Sequence, residues 1–253
     1  MRLFNRSAGK LAAGPTLLLP ADPGPALLDA ARQYDPGVRY SALLRRLIFS
    51  NGVLLLGPVT VTPRLAAQAG LPDDTAVAWY ALAALQGHRE RRVHEAKAND
   101  SERLVRGLAA RLGGATHPPE LQPQLALLAS VYSEQAPDPE QVIGALRPYG
   151  GDFRVEDAKD GCYSLTGHKT HFYVAYWPPR QYRESDAPPA LGPLRSRPLH
   201  HWDLHSGVRA SDAPRELCLR VGEGALALAS QSDGIALDMF GFPVSSPDDL
   251  LPR

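Results

Sequence analysis

Hydrophobic and polar positions alternate in short bursts along this chain, and the same succession of bursts comes round twice. Residues 16–19 form an apolar run between Pro15 and Pro20, which predicts a strand. Asp22 and Pro23 then lead into a helical stretch over residues 25–34, stopped by Asp35-Pro36-Gly37. Two further runs, 38–49 and 53–61, are joined at Ser50-Asn51-Gly52. Asn-Gly favours the positive φ angles of a type I′ turn, so these runs predict a hairpin. The stretch 63–114 reads as helical. Asp73-Asp74 are placed to cap a buried, almost wholly apolar helix over 76–85, and Asp100-Ser101 to cap another over 102–112. In the latter, Leu104, Val105, Leu108 and Leu112 fall on one face, and Gly113-Gly114 end it. A final strand in this half has only residues 115–117 to use.

The second half follows the same plan. Residues 125–132 predict a strand, and Asp138 opens a helix that runs to Tyr149 and breaks at Gly150-Gly151. Residues 153–177 predict a hairpin turning at Asp160-Gly161. Alternation over 216–221 predicts a strand, residues 223–231 a helix closed by Asp233-Gly234, and 235–240 the last strand. The segment Leu27-Leu28-Asp29-Ala30-Ala31-Arg32-Gln33-Tyr34 returns as Val142-Ile143-Gly144-Ala145-Leu146-Arg147-Pro148-Tyr149. Each half also has a β-rich stretch ending in Pro-Arg, at 63–64 and at 179–180. Self-similarity of this kind predicts one supersecondary unit used twice.

The expectation is therefore an α+β protein of two tandem repeats, 1–120 and 121–253. Each approximates β-α-β-β-α-β, an order that resembles the ferredoxin-like fold, with an antiparallel sheet and helices on one face. That resemblance implies an architecture and no particular chemistry. Residues 178–198 have no counterpart in the first half by sequence and hold six prolines and four arginines. A long aperiodic segment predicts a surface loop, with a lid or docking segment as the functional alternative.

Composition narrows the function classes. Hydrophobic residues make up 44% and charged residues 21%, ordinary globular usage. Lys+Arg and Asp+Glu are both 27, so the basic excess of a typical nucleic-acid binder is missing. Lys10, Lys97, Lys159 and Lys169 are the only lysines, an arginine bias that reads first as a bacterial style of coding. Cys162 and Cys218 do not make a disulfide framework. The short apolar run over 11–19 is broken at Gly14-Pro15 and is a poor signal peptide, and no stretch has the length to span a bilayer. A cytoplasmic location without membrane contact is expected.

Candidate chemistry concentrates in the second half. His201, Asp203 and His205 share one face if the segment is extended, and His201 and His205 do so if it is helical. Either arrangement could offer ligands to a zinc-like divalent metal, although no recognised ligand spacing is met, and no cofactor is predicted. His168-Lys169-Thr170 resembles the His-x-Thr element of two-histidine phosphoesterases, which carry one element per lobe. No second histidine is followed two residues later by Ser or Thr, so the acid–base pair is incomplete. His168 and His171 remain weak catalytic candidates, as a base for Cys162 among other roles. Gly222-Glu223-Gly224 with Ala227 meets a relaxed dinucleotide fingerprint, but Glu223 would repel an anion there and a plain helix start reads better. The mixed charges of 88–95 suit a solvated helix face, and Trp79-Tyr80 suit the core.

Tyr173, Tyr176 and Trp177 gather just before the Pro/Arg segment, and aromatics with arginine are typical of binding surfaces. The leading expectation is a non-enzymatic protein-interaction or regulatory protein. Its surface is expected at Tyr173, Tyr176, Trp177, Arg180, Arg183 and Trp202. The alternatives are a histidine-based hydrolase or metal-dependent enzyme in the second repeat, and a small-molecule sensor at the repeat junction. Exposed sheet edges would also suit a homodimer.

Overall fold

Among the described residues of the computed structural model, twelve strands and five helices of seven residues or more make up the regular structure. It describes residues 9, 11, 12, 14–83, 91–118, 127–157, 159–167, 171–181, 187–208 and 212–251, with backbone alone at 83, 91–99, 157, 159, 180 and 181. The chain divides into two units, Met1–Gln122 and Pro123–Pro252.

In the first unit the order is β1 (Thr16–Leu19), α1 (Pro25–Tyr34), β2 (Arg39–Ser41), β3 (Arg46–Ile48), β4 (Val53–Thr60), α2 (Pro63–Ala69), β5 (Val77–Ala83), α3 (Arg91–Leu112) and β6 (Ala115–His117). The strands form one antiparallel sheet in the order β2-β3-β4-β5-β1-β6. In the second unit the order is β7 (Leu127–Ser133), α4 (Pro139–Gly150), β8 (Phe153–Asp157), β9 (Tyr163–Gly167), β10 (Phe172–Gln181), 3-10 turns over Pro189–Ser196, β11 (Pro198–Ser206), α5 (Arg215–Ser232) and β12 (Ile235–Asp238). Its antiparallel sheet runs β12-β7-β11-β10-β9-β8.

Local signals account for most of these elements. Asp138 accepts from the Gln141 amide at 2.9 Å while the Gln141 side chain accepts from the Asp138 amide at 3.1 Å, a capping box that starts α4 with Pro139 behind it. In α1, Leu27, Ala30, Ala31 and Tyr34 are buried at helical spacing. Between β3 and β4 the Asn51 side chain accepts from the Val53 amide, and only Gly52, at φ 83, enters the left-handed region. The connection is thus a three-residue loop ending on glycine rather than the expected type I′ pair. Asp160 and Gly161 both take positive φ, at 63 and 77, as their sequence predicts.

Several expectations are corrected. Residues 77–83 form the strand β5 and not a helix. Flanked by β4 and β1, with Val77, Ala78, Trp79 and Ala81 buried, this strand is covered on both faces, so it lacks the alternation that distinguishes a strand from a buried helix. Asp100-Ser101 lie inside α3, which runs unbroken from Arg91 to Leu112. The run 38–49 folds back on itself as β2 and β3, and 153–177 contains β8, β9 and most of β10, so each unit has six strands where four were expected. Residues 216–221 belong to α5, which leaves Gly222-Glu223-Gly224 in mid-helix rather than at a phosphate-binding turn.

Those helical glycines have a packing reason. A Cβ at Gly222 would stand 2.8 Å from the Pro247 Cα, and one at Gly224 would lie 3.1 Å from the Phe172 ring and 3.2 Å from the Leu146 side chain. The core of the second unit lies between its sheet and α4 and α5, around Leu146, Phe172, Leu204, Cys218 and Val221. Full burial of an aliphatic or phenyl side chain stabilises by roughly 1.5–3 kcal/mol each.

Each unit has a segment between two consecutive strands that packs back on its sheet. In the first unit the link between β4 and β5 is α2, whose Leu65, Ala66 and Ala69 pack with Leu18, Val61 and Ala78. In the second unit the link between β10 and β11 places Ala187 and Leu191 with Tyr132, Leu199 and Leu237. Both strand pairs also slip register at a proline-bearing bulge, between Leu56 and Val59 and between Trp177 and Arg180. The covering segment is a single α-helix in the first unit and proline-rich 3-10 turns in the second.

Gly222→Ala puts the packing account to the test. Alanine favours a helix interior by about 1 kcal/mol, yet the backbone contact with Pro247 makes the variant less stable by about 1–3 kcal/mol in chemical denaturation.

Candidate functional site

Strand β11 carries the residues on which the functional question turns. Its neighbours β7 and β10 pair with it on either side, so its side chains alternate between the helix-covered face and the opposite face. Trp202 and Leu204 enter the core, while Leu199, His201, Asp203 and His205 share the helix-free side. Register extends each of these into a row across the sheet. Trp177, His201, Tyr132 and Ile235 form one row. Ser164, Ala175, Asp203, Ser130 and Leu237 form the next, and Arg154, Thr166, Tyr173 and His205 a third.

The middle of this face is a closed polar cluster. His201 Nε2 lies 2.7 Å from Asp203 Oδ1, and Ser130 Oγ donates to the same oxygen at 2.6 Å. The His201 ring stacks on Tyr132, with centroids 4.3 Å apart and planes 13° from parallel. Tyr132 in turn packs against Ala187 and Leu191. Burial pulls the Asp203 carboxyl up, but the hydrogen bonds from His201 and Ser130 and the positive charge of His201 and His205 outweigh it and hold it below the usual range. Burial holds His205 below the usual imidazole value. Asp203 opposes that shift and His201 adds to it.

A serine, a histidine and an aspartate therefore meet here, with the wrong connectivity for nucleophilic catalysis. A serine nucleophile needs its proton taken by an imidazole that the carboxylate orients from behind. Here Ser130 and His201 both address Asp203, so the hydroxyl is tied to a weakened base. Metal chemistry finds no better footing. Nε2 of His201 is turned into Asp203, and no group of three or more His, Cys, Asp or Glu side chains among the described residues is placed to hold a metal ion. Cys162 and Cys218 are both free; burial pushes the Cys218 thiol up, away from thiolate reactivity.

On the core side, Tyr176 and His200 join through Oη and Nδ1 at 2.8 Å, and Trp202 Nε1 donates to the Tyr163 hydroxyl at 3.2 Å. Burial pushes Tyr163 up to about 12. Trp202 has no exposed surface and Tyr176 is buried, which removes both from the expected binding surface. The period of two divides a sequence cluster that looked continuous: Tyr173 and Trp177 stay on the helix-free face, 37% and 41% exposed, while Tyr176 turns inward.

The other expected residues are scattered. His171 is exposed at the start of β10, with φ 53 and its carbonyl accepting from the Gly207 amide at 2.8 Å. Only the backbone of Arg180 is described, and His168 and Arg183 lie outside the described residues. Ser130 and Tyr132 were missed. No local signal marks them, because they reach Asp203 and His201 only through the pairing of β7 with β11.

No helix among the described residues is long and apolar enough to cross a membrane. No protein-family model, curated protein or solved structure matches this chain.

The cluster predicts a distinct pH response. Asp203→Asn is expected to cost about 1–3 kcal/mol at neutral pH by weakening two buried donor contacts. Because the folded carboxyl sits low, its contribution is full above about pH 4 and fades in stronger acid, so the gap from the unsubstituted protein closes there. His205 also sits low, so the unfolded chain takes up its proton first and stability falls as pH drops below about 6.5. Urea titrations of His205→Gln are expected to show a shallower decline between about pH 6.5 and 5.

Proposed function

We propose that this chain is a non-enzymatic cytoplasmic interaction or regulatory protein that binds a protein partner on the helix-free sheet face of its second unit. The observation that carries this reading is the exposure of Tyr173 and Trp177 on β10, beside polar groups that are already engaged with one another. Aromatic side chains of this kind anchor protein interfaces, because they bury a large area at small cost in side-chain entropy. Two residues of the same face two apart lie about 7 Å from each other along a strand, so Tyr173 and Trp177, four apart, stand about 13 Å apart. That spacing suits two separate anchors on one partner.

The same reading takes the architecture as two copies of one ferredoxin-like unit. Omitting the β2-β3 and β8-β9 hairpins and the linking helix α2 leaves β-α-β-β-α-β twice, with β6-β1-β5-β4 and β12-β7-β11-β10 in equivalent order. The matched bulges and the matched covering segments support it. Two unpaired cysteines fit a reducing compartment. The hydrolase and metal-enzyme alternatives lose support from the mutual closure of Ser130, His201 and Asp203.

A photo-crosslinking amino acid placed at position 173, with a control at the exposed Glu223 on α5, separates the outcomes. A discrete protein adduct is expected from position 173 alone, and Trp177→Ala should reduce it at least about tenfold, as loss of an anchor residue does. Equal adducts from both positions, or adducts indifferent to Trp177→Ala, would show that this face is not the binding surface.

A further inference from the structure

The tip of the β2–β3 hairpin in the first unit is the most exposed apolar feature of the described chain. Leu43 is 93% exposed, Leu44 53% and Tyr40 50%, although all three sit beside ordered strands. The tip is held in shape. The Arg45 amide donates to the Ala42 carbonyl at 3.3 Å, and the Arg45 carbonyl accepts from the Gly57 amide at 3.0 Å. Arg45 itself takes φ 46, the left-handed conformation that turns the chain back into β3. The leucines are thus presented outward by a braced turn, on the outermost pair of strands of the sheet.

Charge around the tip has one sign. Residues 36–72 contain Arg39, Arg45, Arg46 and Arg64 and no aspartate or glutamate. Among the described residues, none of Arg39, Arg45 and Arg46 takes part in an ion pair. A chain whose net charge is zero thus places three arginines, without an ion pair among the described residues, next to two exposed leucines. An exposed apolar turn with arginines along the two strands that carry it matches the layering of an anionic bilayer, with hydrocarbon inside, aromatic side chains at the headgroup level and phosphates outside.

We propose that this hairpin tip docks the protein on anionic lipid bilayers, with Leu43 and Leu44 in the acyl boundary, Tyr40 at the headgroups, and Arg39, Arg45 and Arg46 on lipid phosphates. Such a tip lies on a membrane and needs no spanning helix. Apolar insertion and electrostatic attraction are both weak alone and act together, so the attachment is reversible and salt-sensitive.

Co-sedimentation of the full chain with phosphatidylcholine vesicles, with and without phosphatidylserine, tests this. Binding is expected only with phosphatidylserine. Leu43→Asp with Leu44→Asp should weaken it at least about fivefold, and Arg39→Gln with Arg45→Gln by a similar factor. These side chains are exposed, so an unchanged melting temperature accompanies both pairs of substitutions. Leu43→Trp should show blue-shifted emission on the same vesicles, as an indole leaving water does. Three results would each overturn the proposal: no preference for phosphatidylserine, vesicle binding that Leu43→Asp with Leu44→Asp leaves intact, or a tip occupied instead by a second copy or an acidic protein, seen as a complex those substitutions dissolve while vesicles stay unbound.

Discussion

Strand β11 is hydrogen-bonded along both edges, to β7 and to β10, and this leaves its side chains two directions only. Everything distinctive about the second unit follows from that constraint. Trp202 and Leu204 must go into the core with the helices, so His201, Asp203 and His205 must go to the other side. There the largely buried aspartate is met by the His201 ring on its own strand and by Ser130, which arrives opposite it on β7. The cost of burying an unpaired carboxylate is large, and the two donors offset it. A constellation that reads as metal ligands in the chain thus forms, together with Ser130, a polar cluster on a half-covered sheet face.

The first unit meets the same geometric problem with apolar means. There α2 lays Leu65 and Ala66 over Leu18 and Ala78, so the covering contact is made of ordinary hydrophobic packing. In the second unit the covering contact is mixed, since Tyr132 touches Leu191 on one side and the His201 ring on the other. Apolar packing tolerates substitution of similar volume, whereas a stacked imidazole bound to a carboxylate depends on orientation as well. The two units share a strand order and differ in how specific their covered faces are.

Much of the architecture was legible from residues 16–60 and 127–150, where capping, turn pairs and helical spacing speak locally. Asp138, Pro139 and Gln141 announce α4 without any knowledge of its neighbours. Strand β5 was not legible, because burial on both faces erases the alternation on which a strand is recognised. Helix α5 was misread at its start for the converse reason: Leu217, Leu219 and Val221 recur at a period of two, which suggests a strand although the apolar Cys218 breaks the alternation. At the candidate site, the shared face of His201, Asp203 and His205 was readable from a period of two. Ser130 and Tyr132 were not, since their contacts span distant parts of the chain and exist only once β7 and β11 are paired. The inward turn of Tyr176 and Trp202 needed the phase of two strands, which sequence leaves open until one residue is known to be buried.

The link between the fourth and fifth strand in chain order is a seven-residue α-helix in one unit and a proline-rich run of tight turns in the other, and each covers part of its own sheet. What the scaffold requires of that slot is a few methyl groups at the right height and a bulge to launch the chain off the sheet. The slot is in effect an interchangeable plug, and replacing its contents alters what lies beneath without disturbing the strands that frame it. In this molecule one plug lies on aliphatic side chains and the other on the tyrosine that carries an imidazole, so the contents of the connecting segment go with the chemistry of the surface beneath it.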